Sequence, residues 1–185
     1  FQNLQETPAE IRAAWLEKLA ALMEDCSGEL IALLQTEGKK TLADAIAEVR
    51  EAVDFCRYYA AEGRKYFDAA GTPLTGPTGE SNHLRLMGRG VFVCISPWNF
   101  PLAICMGQVT AAVMAGNSVL AKPAEQTPLI AHRAVELLHQ AGVPRAALQF
   151  LPGRGEVVGA GLCDDARVKG VSFTGSTEVA QLINR

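Results

Sequence analysis

The stretch from Gly90 to Pro128 constrains the fold more than any other part of this sequence. It opens with the apolar run VFVCI, whose length and β-branched residues are typical of a buried strand. The polar turn SPWNFP leads into a helical pattern that ends at Gly116, and a second short strand, SVLA, follows. The turn KPAEQTP then opens another helix. Two successive strand–helix units of this kind predict a parallel sheet.

The remaining sequence adds two more units of the same kind. A predicted strand over 148–151 precedes the glycine-rich turn PGRGEVVG, and a predicted strand over 168–173 precedes TGST and a last helix. Ligands of parallel sheets bind beyond the carboxyl ends of the strands, which is where these polar turns fall. We therefore expect an α/β fold with a doubly wound, Rossmann-like parallel sheet and a ligand site among its turns.

Helical patterns fill the sequence before this sheet. Thr7 and Glu10 have the spacing of a capping box, and an apolar stripe follows them. Thr41 begins a long helix, whose charged residues predict a solvated outer face. We predict a helical layer over 1–70, a loop with an exposed strand over 71–90, and an incomplete α/β domain over 91–185. The stripe comprises Ile11, Trp15, Leu19, Leu22 and Cys26, and the charged face comprises Glu48, Arg50, Glu51, Asp54 and Arg57.

Composition excludes several classes of function. A net charge of −3 does not favour nucleic-acid binding, and the sequence has no apolar run of membrane-spanning length. The five cysteines are widely spaced and include no C-x-x-C pair, which favours free thiols in a cytoplasmic protein and no metal site. The sequence starts without Met and stops within a predicted helix, so we expect a fragment of a longer protein.

Four motifs carry a resemblance to a known family. In order and spacing, PWNFP, KPAEQTP, LPGRGEVVG and FTGST resemble the aldehyde dehydrogenase superfamily, from about Glu37 to the last residue. The flanking text, EGKKTLADAIAEVREAVDFCRYYA and HLRLMGRGVFVCISPWNFP, is most similar to the pyrroline-5-carboxylate dehydrogenase part of bifunctional proline-utilisation proteins. This resemblance implies NAD-dependent oxidation of a small aldehyde, glutamate γ-semialdehyde, to glutamate. It also implies that the parent protein is a homo-oligomer in which a hairpin near 71–90 reaches a neighbouring subunit. A further implication is fusion of the parent to a flavin-dependent proline dehydrogenase.

The glycine-rich turn is a weak signal on its own. Gly153, Gly155 and Gly159 have one residue more between them than the usual dinucleotide fingerprint, and a tight strand-to-helix turn explains them equally well. The resemblance implies that Gly155, Gly159 and Ala160 lie near the adenosine and pyrophosphate of NAD.

A second phosphate-binding candidate lies at the end of the last predicted strand. Thr174, Gly175 and Ser176 precede a helix, whose free N–H groups and positive dipole end attract phosphate. The alternative is a simple N-cap at Ser176, which contributes about 1 kcal/mol to helix stability. In the context of the motif we expect pyrophosphate binding here, with Val179 packing beside the adenine.

Lys122 and Glu125 can reach the hydroxyls of one ribose, because Lys122 ends a strand and Glu125 follows three residues later. A carboxylate at this place repels the extra phosphate of NADP, which favours NAD. The alternative is a surface ion pair that contributes under about 1 kcal/mol.

Asn99 is the candidate catalytic residue. An amide N–H in the turn after the central strand can stabilise the oxyanion of an aldehyde–thiol adduct, the role that the resemblance implies. The alternative is a turn Asn that bonds its own backbone. Ile95, Ser96, Pro97 and Trp98 are expected to line the cofactor cleft, although Trp98 fits a core position equally well.

The nucleophile is expected to lie outside this sequence. The resembled family uses a cysteine and a glutamate from motifs that follow FTGST, and the sequence ends before them. Cys26, Cys56, Cys94, Cys105 and Cys163 read as small core or near-surface residues. We expect no catalysis by this part alone. A non-catalytic nucleotide-binding module and a CoA-acylating member of the superfamily remain as alternatives.

Overall fold

The computed structural model describes residues 2–184, and no helix in that range has the length and apolarity needed to cross a membrane. Helices precede and flank a parallel sheet, and a small hairpin separates the two regions. The elements are α1 (Gln2–Glu6), α2 (Ala9–Asp25), α3 (Ser27–Thr36), α4 (Leu42–Tyr66), β1 (Thr72–Leu74), β2 (Asn82–Leu84), β3 (Val91–Ile95), α5 (Ala103–Met114), β4 (Ser118–Lys122), α6 (Pro128–Ala141), β5 (Leu148–Phe150), a π-helical turn (Gly155–Gly159), α7 (Ala160–Cys163), β6 (Val168–Phe173) and α8 (Thr177–Ile183).

Strands β3, β4, β5 and β6 form one sheet in the order β5-β4-β3-β6, and the sheet is parallel, as predicted. Ile95, the last residue of β3, pairs with Lys122 of β4 and with Phe173 of β6. The carboxyl ends of these three strands are therefore level, and the turns that follow them meet at one edge of the sheet. The α/β fold with a preceding helical layer is confirmed.

The core lies between the sheet and two layers of helices. Central strands β3 and β4 are apolar, and Val93, Cys94 and Ala121 are almost fully buried. Helix α5 is apolar around most of its circumference because it packs against the sheet on one side and α4 on the other. Helix α6 buries Ile130, Ala134, Leu137 and Leu138.

The start of helix α2 and its buried face differ from the prediction. Pro8, and not Thr7, occupies the N-cap, and the Glu10 carboxylate pairs with Arg64 of α4. The capping-box interpretation is therefore wrong. The buried face is also rotated from the predicted stripe, and Ile11 is 47% exposed. The buried residues of α2 are Arg12, Ala13, Leu16, Leu19, Ala20 and Met23.

Helix α4 begins as predicted but carries one unexpected buried charge. The Thr41 hydroxyl accepts a hydrogen bond from the Asp44 N–H, which confirms the N-cap. Glu48, assigned to the solvated face, is only 1% exposed. Its carboxylate lies at the start of α5, where backbone N–H groups and a lysine satisfy it.

Residues between the helical layer and the sheet form a small exposed hairpin. Strands β1 and β2 pair antiparallel, with Thr72 opposite Leu84, and every residue in both strands is exposed. Leu74, Leu84 and Met87 present large apolar side chains to solvent there. The exposed strand predicted within 71–90 is thus one arm of a two-stranded hairpin.

Candidate cofactor cleft

A cavity of about 390 Å³ lies at the carboxyl edge of the sheet. The ends of β3 and β4 form its floor, and the π-helical turn, α7 and α8 form its walls. Six predicted cofactor-binding residues meet here, although their motifs are far apart in the sequence. These are Ile95, Lys122, Gly155, Gly159, Ala160 and Val179, and the other lining residues are Glu156, Cys163, Asp164, Leu182 and Ile183.

Lys122 is the charged group that the strands bring to the floor of this cavity. The residue is 5% exposed, and no hydrogen-bond partner of its ammonium lies among the described residues. Burial lowers the pKa of Lys122, while the carboxylates of Glu125 and Glu156 act in the opposite direction. A lysine ammonium that faces an open cavity and has no partner among the described residues is suited to the hydroxyl or phosphate oxygens of a ligand.

The glycine-rich turn presents bare backbone to the cavity. Gly153 has a φ of +151°, which explains the need for glycine after β5. A side chain built on Gly155 would meet nothing within 4 Å, and one on Gly159 would meet only the Lys122 Cε, at 4.0 Å. The space above both glycines is therefore open to a ligand. Glu156 at this wall pairs with Arg154.

The turn after β6 does not line the cavity. Thr174, Gly175 and Ser176 are all exposed, and the Ser176 hydroxyl accepts a hydrogen bond of 3.3 Å from the Val179 N–H. Ser176 is thus an N-cap of α8, as the alternative interpretation held. Pyrophosphate binding by these three residues stays a prediction.

The turn after β3 lies apart from the cavity as well. Asn99 is exposed and Trp98 is 57% exposed, so the core interpretation of Trp98 is wrong. Pro97 is half-buried, and Ser96 is 4% exposed with its side chain next to the thiol of Cys105. The Ser96 side chain therefore belongs to the packed interior. Of the four residues predicted before Asn99, only Ile95 lines the cavity.

Glu125 likewise stands outside the cavity lining. It is exposed in the turn between β4 and α6, and its carboxylate acts on Lys122 only through charge. The structure shows no ion pair between the two side chains, so the surface ion-pair alternative is not what holds Lys122.

None of the five cysteines has the environment of an activated nucleophile. Burial raises the pKa of Cys56 to about 12 and of Cys105 to about 11, and it also raises the pKa of Cys94. Cys26 and Cys163 are half-buried, and desolvation raises the pKa of both thiols. A nucleophilic cysteine requires the opposite shift.

Comparison with known proteins identifies the family. The protein-family model described as "Aldehyde dehydrogenase family" matches residues 1–185 of this sequence. The chain belongs to the aldehyde dehydrogenase family.

Individual relatives of this aldehyde dehydrogenase chain fall in the predicted branch. It is 56% identical over 179 residues to the bifunctional protein PutA of Salmonella typhimurium, covering 97% of the chain and 12% of the relative. A crystal structure of proline utilization A from Bradyrhizobium japonicum is 63% identical, with a TM-score of 0.96, and matches 100% of this chain and 19% of that one. A 1-pyrroline-5-carboxylate dehydrogenase from Thermus, solved with bound NAD, is 39% identical with a TM-score of 0.94, over 99% and 35%. The chain thus spans about a third or less of these relatives.

Sequence reasoning missed two residues that organise the site of this aldehyde dehydrogenase chain. The Gln108 amide of α5 donates to the Ile95 carbonyl and to the Thr174 hydroxyl, each at 3.1 Å, and so ties the ends of β3 and β6 together. Glu48 was misassigned to solvent. Its position three residues after Ala45 and four before Ala52 lies on the buried stripe of α4, a signal available in the sequence.

Proposed function

We propose that this chain supplies the NAD-binding part of an enzyme that oxidises glutamate γ-semialdehyde to glutamate in proline breakdown. The ammonium of Lys122, which lines an open cavity and has no hydrogen-bond partner among the described residues, carries the proposal. Relatives named as 1-pyrroline-5-carboxylate dehydrogenases support the choice of aldehyde. The proposed parent is a homo-oligomer of the bifunctional type, joined to a flavin-dependent proline dehydrogenase.

Each part of the cleft has a proposed task in holding NAD. Lys122 donates to the ribose hydroxyls, and the carboxylate of Glu125, exposed in the turn that follows, accepts from them. Gly155, Gly159 and Ala160 offer flat backbone to the adenosine, and Val179 packs beside the base. The Ser176 hydroxyl keeps its proton for a phosphate oxygen, because its oxygen is the acceptor of the capping bond. Bound NAD supplies the acceptor for hydride.

Asn99 has the one proposed catalytic role in this chain. Its side-chain amide donates to the oxyanion that develops on the substrate carbon when a thiolate from the rest of the enzyme adds to the aldehyde. Exposure of Asn99 and Trp98 is consistent with a turn whose opposite wall the rest of the enzyme provides.

Calorimetric titration of the chain with NAD and with NADP tests the cofactor proposal. We expect NAD to bind with millimolar or tighter affinity, NADP to bind more weakly, and Lys122→Ala to abolish binding because the ribose loses its donor. Lys18→Ala on the exposed face of α2 is the matched control and should bind NAD as the wild type does.

Two results would overturn the cofactor proposal. One is equal NAD affinity in the Lys122→Ala variant and the wild type. The other is a failure of the full-length enzyme, as well as of the folded chain, to bind NAD.

A further inference from the structure

The two turns that carry Asn99 and Lys122 lead into helices whose first amides are held in the same manner. At the start of α5, the Glu48 Oε1 accepts hydrogen bonds from the Leu102 N–H at 2.8 Å and the Ala103 N–H at 3.2 Å. Glu48 belongs to α4, in the helical layer, and not to the turn itself. A buried carboxylate at this place satisfies orphan N–H groups and complements the positive end of the helix dipole.

Glu37 does the same for the next helix. Its two carboxylate oxygens accept from the Leu129 N–H at 2.9 Å and the Ile130 N–H at 3.0 Å, at the start of α6. Helix α6 lacks a local cap, since the Thr127 hydroxyl makes no capping bond. The start of α6, and with it the end of the turn from Lys122 to Thr127, is therefore held by a residue from the end of α3.

Lys40 adds a second anchor at the Asn99 turn. Its ammonium lies 2.5 Å from the Glu48 Oε2 and 3.7 Å from the ring centroid of Phe100, the residue after Asn99. The side chains of Lys40 and Glu48 are 10% and 0% exposed, so water competes little for the ion pair. The ion pair thus holds both the helix that ends the turn and an aromatic ring within it.

We infer that three residues of the helical layer are positioning residues. Glu48 and Lys40 act on the turn used for catalysis, and Glu37 acts on the turn used for NAD binding. Glu48 and Lys40 fix the Asn99 turn, on which oxyanion stabilisation depends, and Glu37 fixes the Lys122 turn, on which NAD binding depends. This inference rests on the proposed function. A displacement of about 1 Å in a catalytic group can lower the rate about 100-fold, so a tethered turn has a kinetic consequence beyond stability.

Kinetics of single variants separate positioning from simple stabilisation. In the full-length enzyme, Glu48→Gln keeps the size of the side chain and one acceptor oxygen but turns an amide N–H toward the Lys40 ammonium. We expect kcat to fall by about 10- to 100-fold with little change in the Kd for NAD. Glu37→Gln should instead raise the Kd for NAD by about tenfold, with a smaller fall in kcat.

Two further variants sharpen the comparison. Lys40→Met removes the charge that reaches Phe100 and should lower kcat as much as Glu48→Gln does. Lys40→Arg keeps the charge and should retain most of the wild-type kcat. Glu24→Gln breaks the exposed ion pair with Arg57 and is a control for the loss of a carboxylate from the helical layer. It should leave kcat and the Kd for NAD unchanged.

Hydrogen–deuterium exchange followed by mass spectrometry gives a readout that does not depend on activity. Faster exchange confined to peptides over 96–104 in Glu48→Gln, and to peptides over 123–131 in Glu37→Gln, supports the inference. Equal losses of kcat and NAD affinity in both variants, or faster exchange spread over the whole chain, would overturn it. If the wild-type enzyme oxidises no aldehyde, the proposed function fails, and the exchange pattern alone decides between local and global effects.

Discussion

At the scale of single residues, burial decides what each reactive side chain can do. Desolvation disfavours the thiolate of Cys94 and the ammonium of Lys122 alike, since both are charged forms. For Cys94 the result is an inert thiol inside β3. For Lys122 the result is an ammonium that the oxygens of a bound ligand can stabilise.

Alkylation with iodoacetamide at neutral pH tests the assignment of the thiols. We expect Cys56, Cys94 and Cys105 to stay unmodified in the folded chain, because they are buried and their pKa values are raised. Cys26 and Cys163 should react slowly, and all five should react in urea. Mass spectrometry of tryptic peptides gives the extent at each site. Rapid modification of any of the three buried thiols before unfolding would contradict this assignment.

Single residues also show where prediction from sequence stops. The place of Lys122 at the cavity could be predicted because it ends a strand within a recognised motif. The role of Glu48 could not, since its partners lie 54 and 55 residues further along the chain. The apolar stripe of α4 signals that Glu48 is buried, but the groups that satisfy its carboxylate are set by tertiary packing.

At the scale of elements, helix α5 is held at both ends by buried charges from the helical layer. Glu48 accepts from its first amides, and the Arg12 Nε donates to the Met114 carbonyl in its last turn at 2.9 Å. Arg12 also donates to the Thr7 and Leu4 carbonyls, so the guanidinium links α2, the segment before it and α5. The signs of the two charges complement the helix dipole.

Replacing Arg12 by Met tests this arrangement. Loss of the guanidinium leaves buried carbonyl groups without donors, and we expect the free energy of unfolding to fall by about 3 kcal/mol. Urea unfolding followed by circular dichroism measures the change. Arg145→Met, at an exposed position before β5, should change it by no more than about 0.5 kcal/mol. A fall of less than about 1 kcal/mol for Arg12→Met would refute the assigned role.

The same contact explains an element that was predicted incorrectly. The stripe predicted for α2 follows its largest apolar side chains, but the helix packs against α4 and α6 through a face that includes Ala13 and Ala20. Small residues allow close approach, and the Arg12 contact fixes the rotation. Strands β3 and β4 were predicted well because β3 is uniformly apolar and the middle of β4 is an apolar run bounded by Ser118 and Lys122.

At the scale of the whole molecule, exposed ion pairs join the outer surfaces of packed helices. Arg64 of α4 pairs with both Glu10 and Glu17 of α2, and Arg133 of α6 pairs with Glu29 of α3. Hydrogen bonds from Arg64 lower the pKa values of Glu10 and Glu17. A carboxyl group with a lowered pKa in the folded state stabilises the fold above its unfolded pKa, and this contribution disappears as the pH falls.

The pH dependence of stability tests the Arg64 cluster. The contribution of Glu10 and Glu17 is fully present above their ordinary pKa of 4.5 and is lost as the pH falls through the lowered values. We therefore expect Arg64→Gln to be less stable than the wild type at neutral pH, with the difference shrinking between about pH 5 and pH 3. Thermal unfolding across this range measures it. Arg50→Gln on the same helix, which forms no ion pair among the described residues, should follow the wild-type profile; a constant difference for Arg64→Gln would count against the cluster.

The two capping carboxylates, Glu48 and Glu37, are far in sequence from the helices that they cap, and this separation limits where homologous genes can recombine. The Leu102 N–H donates a hydrogen bond to Glu48, 54 positions earlier, and the Leu129 N–H donates one to Glu37, 92 positions earlier. An exchange by recombination that joined the sheet of one homologue to the helices of another would preserve both turns only if the glutamates matched. The boundary between helices and sheet is therefore a poor crossover point, and chimaeras should tolerate junctions within the exposed hairpin only when Glu37, Lys40 and Glu48 are common to both parents.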